Sequence, residues 1–337
     1  MTRNVSSFAL RTYQALGEKA VVEVNVQKIV DCEQRLYREE TCYYVGVKNT
    51  NVIPIEFLEM LESHGYLMHT RDAMALNGRA IDLELVNPIT GRYMTGSSSG
   101  TAINVFKGIN DLGIGTDGGG SVLAPAAALN LYGFISPLIC NDALSKYSKK
   151  STDNITFQPS IGFMAREFEV LRDVVALTLP ADNQASINVV VSTPDFEPYQ
   201  QCLRIVQHHL DVSDYTNLRY INTDRSMMID ELRHFDFDTS VLITFEGPID
   251  FIEYGDSLSG HYDALTTAKQ SQSHKNYLKV INMLGLSAIS IPTSQLSTSI
   301  LMICKSDPTY IQAMIDFAQQ IPFERSALES RYFTLQE

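Results

Sequence analysis

Residues 115–121 read Gly-Thr-Asp-Gly-Gly-Gly-Ser, and residues 96–100, a short distance upstream, read Gly-Ser-Ser-Ser-Gly. Three successive glycines can adopt backbone angles that are closed to other residues, so several N–H groups can turn toward one point. Such a nest of donors can hold the oxyanion that forms when a nucleophile attacks a carbonyl group. Ser121 follows the nest directly, at the start of an apolar segment predicted to be helical. The stretch therefore predicts a serine nucleophile beside an oxyanion-binding loop.

Such a serine also needs a base, because a hydroxyl group alone is a weak nucleophile. The seven histidines lie in no glycine-rich or metal-ligand pattern, and we expect them to be surface or incidental residues. Lys48 follows the apolar run 42–47, which predicts a strand that ends at this lysine. A lysine held among apolar residues loses solvation, so its pKa falls and its neutral amine can accept a proton. Lys48 is the candidate base, although taken alone it fits an ordinary surface lysine.

Strand-like and helix-like segments alternate around this centre to the end of the chain, with no internal repeat and no linker. This alternation favours one α/β domain over residues 1–337. Apolar runs predict buried strands at 187–191, 241–245, 288–291 and 300–304. Amphipathic segments predict covering helices near 164–177, 197–209, 265–284 and 308–320.

Composition excludes several classes of protein. The net charge of −13 disfavours binding to nucleic acid or to anionic membranes, since both depend on Lys and Arg. Residues 121–140 carry no charge, but Pro125, Asn130, Gly133 and Pro137 interrupt them, so we expect a buried core segment rather than a membrane span. The start of the chain lacks the apolar core of a signal peptide, which favours the cytoplasm.

The five cysteines form no C-x-x-C pair and are odd in number, so we expect neither a disulfide framework nor a zinc cluster, as in a reducing cytoplasm. Gly113, Gly115 and Gly118 match the dinucleotide fingerprint, but residues 107–111 are too polar for the strand that must precede it. We therefore expect no cofactor and no metal ion.

Several motifs in order resemble the amidase signature family. The family's loops GGSSGG and GTDxGGSxRxPA are similar to residues 96–100 and 115–126, and Ser97 and Ser121 are 24 positions apart, as in the family. Val47-Lys48-Asn49 resembles the family's V-K-[DN]. Further similarity at 162–166 and 282–292 extends the resemblance over about residues 42–320.

The resemblance implies a single domain with a central mixed, mostly parallel β-sheet and helices on both faces. The signature core is expected at about 42–140, and residues 160–320 complete the sheet and pocket. It also implies an amidase that cleaves a carboxamide through an acyl-Ser121 intermediate. Its residues would be Ser121 as nucleophile, Ser97 after a cis bond from Gly96 as relay, Lys48 as base, Gly118, Gly119 and Gly120 as oxyanion hole, and Ser98, Thr116 and Asp117 as supports.

The chain also departs from the family. It is shorter than typical members, between Lys48 and Pro54 and over about 180–240, and Leu123 replaces the arginine that usually pairs with Asp117. A second copy or a partner subunit could complete a trimmed pocket. Two alternatives to an amidase stay open: an acyl or amido transferase with the same triad, and a weakened amidase-like binding subunit. The expected partner is a small amide substrate.

Overall fold

The computed structural model describes residues 4–181, 183, 186–220 and 224–333. The outer limits of the expected 1–337 domain therefore lie outside the described residues. The strands are β1 (Val21–Val24), β2 (Tyr43–Lys48), β3 (Tyr66–Asp72), β4 (Ile81–Val86), β5 (Tyr93–Thr95), β6 (Leu112–Asp117), β7 (Tyr132–Ser136), β8 (Lys149–Lys150), β9 (Thr156–Phe157), β10 (Ser160–Ala165), β11 (Asn188–Ser192), β12 (Asp214–Thr216), β13 (Ser240–Glu246), β14 (Leu286–Pro292) and β15 (Ser299–Lys305).

The helices alternate with these strands along most of the chain. They are α1 (Val5–Ala15), α2 (Lys28–Tyr37), α3 (Ile55–Ser63), α4 (Ser99–Phe106), α5 (Leu123–Ala128), α6 (Asn141–Leu144), α7 (Phe168–Thr178), α8 (Glu197–His209), α9 (Arg225–Arg233), α10 (Ala264–Ser271), α11 (Pro308–Gln320) and α12 (Ala327–Tyr332). Short 3₁₀ turns lie at Leu76–Gly78, Ser145–Tyr147, Ser259–His261, Tyr277–Lys279 and Asn282–Leu284.

One mixed sheet of eleven strands organises the molecule, in the order β1-β3-β2-β6-β10-β7-β14-β15-β13-β11-β12. The pairs β3-β2, β2-β6, β13-β11 and β11-β12 are parallel. The six other neighbouring pairs are antiparallel. The expected mixed α/β fold is confirmed, but the sheet is less parallel than expected, because the antiparallel strand β10 separates β6 from β7.

Both faces of the sheet are covered by helices, as expected. Along β15, Ile300, Met302 and Cys304 face one apolar core with α3, α7, α8 and α11, while Leu301 and Ile303 face a second core with α4, α5 and α9. Strands that are buried on both faces need continuous apolar runs rather than alternating ones. This explains why the predicted strands at 241–245, 288–291 and 300–304 all lie inside observed strands.

The expected helices were confirmed except for one. Helices α8 and α11 begin and end where predicted, and α7 overlaps its predicted segment. The predicted helix 265–284 was wrong beyond Ser271. The reason is a tertiary contact: the buried carboxylate of Glu246 accepts hydrogen bonds from the backbone N–H groups of Asn276 (2.6 Å) and Leu278 (2.9 Å), which holds this segment in turns.

The uncharged segment 121–140 forms α5 and β7 inside the protein. Residues 122–135 are buried throughout, as expected for a core segment. Across the described residues, the helices all fall short of the length and apolar character that crossing a bilayer requires.

The cysteine expectation was wrong in one respect, since the structure joins Cys32 to Cys42 in a disulfide. Cys32 lies on α2 and Cys42 just before β2, and packing of the helix on the sheet brings their Cα atoms to 6.0 Å. Cys140, Cys202 and Cys304 are free. The argument from free cysteines for a reducing compartment therefore does not hold.

Two glycines test how tightly the sheet centre is packed. A Cβ atom on Gly162 in β10 would lie 2.6 Å from the carbonyl oxygen of Phe134, whereas a Cβ on the exposed Gly17 would meet nothing closer than 3.9 Å. We expect Gly162→Ala to lower the free energy of unfolding by about 1–3 kcal/mol through overpacking. Gly17→Ala should leave it unchanged or raise it by about 0.5 kcal/mol. Urea unfolding measures both, and equal effects at the two sites would contradict the described packing.

Candidate active site

Lys48 is the last residue of β2, as predicted, and its side chain lies at the centre of the site. Parallel pairing of β2 with β6 brings it beside Thr116, near the end of the neighbouring strand. Its Nζ lies 2.7 Å from Ser97 Oγ, 3.0 Å from Thr116 Oγ1 and 3.3 Å from the Thr116 carbonyl oxygen. Lys48 is only 3% exposed, so it is not a surface lysine.

Burial changes the protonation of this amine. Desolvation lowers the pKa of Lys48 from 10.5 to about 7, the charge of Lys149 lowers it slightly further, and the carboxylate of Asp117 opposes the shift. Near neutral pH a substantial fraction of the amine is therefore unprotonated. A neutral amine 2.7 Å from a hydroxyl group can accept that group's proton.

Ser97 lies on the turn between β5 and α4 and is 2% exposed. In the part of the chain that the structure describes, the one cis peptide bond is Gly247–Pro248. The expected cis bond between Gly96 and Ser97 was therefore wrong, and this bond is trans. Gly96 reverses the chain instead through its positive φ of 74°. This conformation is open to glycine and avoids the cost of about 3–4 kcal/mol for a non-proline cis bond.

Ser121 lies next to the first serine loop. The backbone N–H of Ser98 donates to the carbonyl oxygen of Ser121 (3.2 Å), which ties the two loops together. Ser121 Oγ forms no hydrogen bond with the described residues, so the structure does not contain a closed Ser121–Ser97–Lys48 chain. Ser98 Oγ is buried without a partner and packs against Gly115, so the expected supporting hydrogen bond from this hydroxyl was wrong.

The glycine nest is held from below by Asp117. The Asp117 carboxylate is 1% exposed and accepts from the backbone N–H groups of Gly120 (2.8 Å), Val122 (2.6 Å) and Leu123 (3.4 Å). Burial raises the pKa of Asp117, while these three donors and Lys48 lower it. Asp117 thus braces the loop as expected, through backbone amides instead of an arginine. Leu123, at the family's arginine position, packs in the apolar core.

This brace also changes the set of oxyanion donors. The Gly120 N–H points to Asp117, so the expectation that it donates to an oxyanion was wrong for this structure. Gly120 has a φ of 91°, which turns the chain so that the neighbouring amides face away from Asp117. The amides of Gly118, Gly119 and Ser121 form no hydrogen bonds with the described residues and are left as candidate donors.

A pocket opens beside Ser121. Gly96, Gly119, Gly120 and Ser121 line it, and its cavity volume is about 20 Å³. That volume holds about one water molecule, so a substrate must displace side chains to enter. The polar part of the lining comes from Arg225, Ser257, Gln270, Ser273, Lys275 and Lys279.

Sequence reasoning missed these pocket residues, because they follow no motif and come from segments far from the serine loops. No cluster of metal-ligating side chains is found in the described part of the chain. The dinucleotide reading also fails on geometry, because Gly113 and Gly115 lie inside β6 and not in a turn after a strand.

The lowered pKa of Lys48 predicts a pH-dependent stability. Between about pH 7 and 10.5 the unfolded chain binds a proton that folded Lys48 does not, so wild-type stability should rise with pH by about 1.4 kcal/mol per unit relative to Lys48→Met. Below pH 7 both states hold the proton and the difference should level off. Urea unfolding of both proteins at pH 6, 8 and 9.5 measures the trend. A pH-independent difference would show that the amine titrates normally.

The Asp117 brace predicts a second stability effect. Asp117→Ala would leave the buried amides of Gly120 and Val122 without an acceptor, and we expect a loss of about 2–4 kcal/mol in the free energy of unfolding. Asp117→Asn keeps one acceptor oxygen and should lose less. If the alanine variant unfolded within about 0.5 kcal/mol of wild type, the carboxylate would not be holding the loop.

Comparisons with known proteins agree with the fold and the motifs. Residues 84–228 match the Amidase family model. No curated protein sequence matches significantly.

Solved structures with the same fold cover nearly the whole chain. An amidase crystal structure is similar with 14% identity and a TM-score of 0.58, covering 97% of this chain and 95% of that one. An allophanate hydrolase from Kluyveromyces lactis gives 13%, 0.62, 95% and 71% for the same quantities. A glutamyl-tRNA(Gln) amidotransferase subunit from Thermotoga maritima gives 13%, 0.64, 94% and 91%. With the family match, they identify the chain as a shortened member of the amidase signature family.

Proposed function

We propose that this protein is an amidase that cleaves a carboxamide C–N bond through an acyl-Ser121 intermediate, with Ser97 as relay and Lys48 as base. The observation that carries the proposal is the buried contact of 2.7 Å between Lys48 Nζ and Ser97 Oγ, next to a serine that follows a glycine nest. A buried lysine costs stability unless its shifted pKa has a use. Proton transfer from a serine supplies that use.

The reaction would begin with attack of Ser121 Oγ on the amide carbon. The Ser121 proton passes to Ser97 Oγ as Ser97 passes its own proton to neutral Lys48. The tetrahedral intermediate then collapses, and the proton returns through Ser97 to the leaving amine. Water attacks the acyl-enzyme by the same route and releases the carboxylic acid. Ser121 must rotate toward Ser97 for the first step, since catalytic hydrogen bonds often tighten only when substrate is bound.

The amides of Gly119 and Ser121, with Gly118 beside them, are the donors we assign to the oxyanion. The Phe157 ring packs against Gly118, where a Cβ atom would lie 2.3 Å from the ring. A larger residue there would push the loop away from the pocket. A fixed set of donors that needs no reorganisation is worth about 3 kcal/mol per donor to such a transition state.

We further propose that residues 1–337 act as one domain, because a single sheet runs through the described residues from β1 to β12. A partner subunit remains part of the proposal, since the neighbouring amidotransferase protein is itself a subunit of a larger enzyme. The open Ser121–Ser97 pair and the small cavity favour, as second candidate, a binding subunit without catalysis. An acyl or amido transferase would use the same first half-reaction.

A neutral fluorophosphonate probe tests the proposal, because it reacts with activated serines irrespective of substrate. We expect an adduct on Ser121, formed faster as pH rises through about 7 with the deprotonation of Lys48. Lys48→Ala and Ser97→Ala should slow labelling by about 10³-fold or more.

Ser290→Ala is the matched control, since Ser290 is a buried serine on β14 whose hydroxyl has no partner among the described residues. It should label like wild type. No adduct on folded wild-type protein would favour the binding subunit. Product analysis with and without hydroxylamine then separates hydrolysis from transfer, because a transferase forms hydroxamate in preference to free acid.

A further inference from the structure

The pocket beside Ser121 is lined by three basic residues, although the chain carries a net charge of −13. They are Arg225 at the start of α9, and Lys275 and Lys279 between α10 and β14. Their own hydrogen bonds and ion pairs show which of them are engaged within the protein.

Lys275 is fully engaged. Its Nζ pairs with Asp250 Oδ2 at 2.7 Å and donates to the carbonyl oxygens of Gly255 (3.1 Å) and Ala80 (3.3 Å). An ammonium group has three N–H donors, so none is left for a ligand. Lys275 therefore closes the wall of the pocket and holds the segment that contains Gly255.

Arg225 is engaged on one side only. Its Nη1 pairs with Asp153 Oδ1 at 3.0 Å, while its Nη2 forms no hydrogen bond with the described residues. The side chain is 12% exposed. A Cβ atom on Gly119 would lie 3.4 Å from Nη2, so the unused side of the guanidinium group lies against the glycine nest.

Lys279 has no ion pair and no hydrogen bond to its side chain in the described residues. Burial and the nearby Arg225 lower the pKa of Lys279 to about 8, so most of it is still charged at pH 7. Its backbone lies against Gly119 and Gly120, the same glycines that line the pocket. Two cations thus approach each other beside the nest, which is unfavourable unless an anion lies between them.

The protein's own acids do not supply that anion. Glu246 uses its carboxylate on the N–H groups of Asn276 and Leu278, and burial raises its pKa to about 8. Asp224 caps α9 through Met227 N and bonds Ser226 Oγ. Asp250 and Asp153 are already paired with Lys275 and Arg225.

We propose that Arg225 and Lys279 bind a carboxylate group of the substrate, so that the substrate class is the short amide of a dicarboxylic acid. The inference rests on the proposed function, because it takes Ser121 as the point of attack. Arg225 Nη2 and Lys279 Nζ hold the free carboxylate while the amide carbon faces Ser121. The cavity of about 20 Å³ restricts the chain between the two groups to a few carbons.

Succinamate and its neutral isostere succinamide are the probes, since they differ only in –O⁻ against –NH₂. Binding is measured by calorimetry to Ser121→Ala, which cannot turn them over. We expect succinamate to bind at least about 10-fold more tightly, as charge-assisted hydrogen bonds provide. Arg225→Met and Lys279→Met, each added to Ser121→Ala, should bring the two ligands to within about 2-fold of each other.

Arg204→Met is the matched control, because Arg204 is 61% exposed on α8 and pairs only with the exposed Glu197. It removes one positive charge and should leave the preference for succinamate unchanged. Arg225→Lys, which keeps the charge, should retain part of the preference and shows that a loss in Arg225→Met is not caused by misfolding. Equal binding of the two ligands to Ser121→Ala would overturn the proposal.

Turnover by the active enzyme separates this role from a direct contact of Arg225 with the oxyanion. Arg225→Met should raise KM for succinamate and leave kcat/KM for succinamide within about 2-fold of wild type. An equal loss of kcat on both substrates would overturn the proposal in favour of oxyanion binding. The fluorophosphonate probe carries no acid group: labelling of Ser121 without a preference for succinamate refutes only this inference, and the preference without labelling refutes only the proposed function.

Discussion

Removal of the Lys48 amine from water is the constraint on which the rest of the site depends. Lys48 ends a strand that is buried on both faces, and its amine has only hydroxyl and carbonyl groups around it. Such surroundings do not compensate a full positive charge, and the pKa falls toward neutrality. The parallel pairing of β2 with β6 makes this position, because it places the strand end beside Thr116 and below the serine loops. A Cβ atom on Gly46 would lie 2.2 Å from Asp72 Oδ2, so the close approach of these strands requires glycine there.

The glycine loop shows how a short member of the family keeps its geometry. In place of an ionic partner, the Asp117 carboxylate accepts three backbone N–H groups of its own loop. These bonds need no long side chain, and they leave Leu123 free to fill the apolar core under α5. The exchange consumes the Gly120 amide, which narrows the donors available to a substrate. The loop is therefore rigid, but it offers fewer contacts than its sequence suggests.

The pocket adds a feature that the family resemblance does not supply. Its cations belong to α9 and to the turns after α10, which converge on the nest only because Glu246 holds the backbone at 276–278. The same buried acid that interrupts the predicted helix 265–284 thus positions Lys279. Structures with the same fold share only 13–14% identity with this chain, so their substrates cannot be transferred to it, and the argument for substrate class depends on these charges.

The sequence by itself determined the parts that depend on local chemistry. Continuous apolar runs identified the buried strands, amphipathic periods identified α8 and α11, and the glycine and serine loops located the candidate residues, with Lys48 at a strand end. Only the tertiary structure decided which hydrogen bonds those residues form: the partnerless Ser98 hydroxyl, the Gly120 amide on Asp117, the trans bond before Ser97, the Cys32–Cys42 disulfide and the burial of His69. The same holds for Arg225 and Lys279. The physical reason is that a hydrogen bond or an ion pair depends on distances of a few tenths of an ångström between segments far apart in the chain, and local sequence patterns carry no such distances.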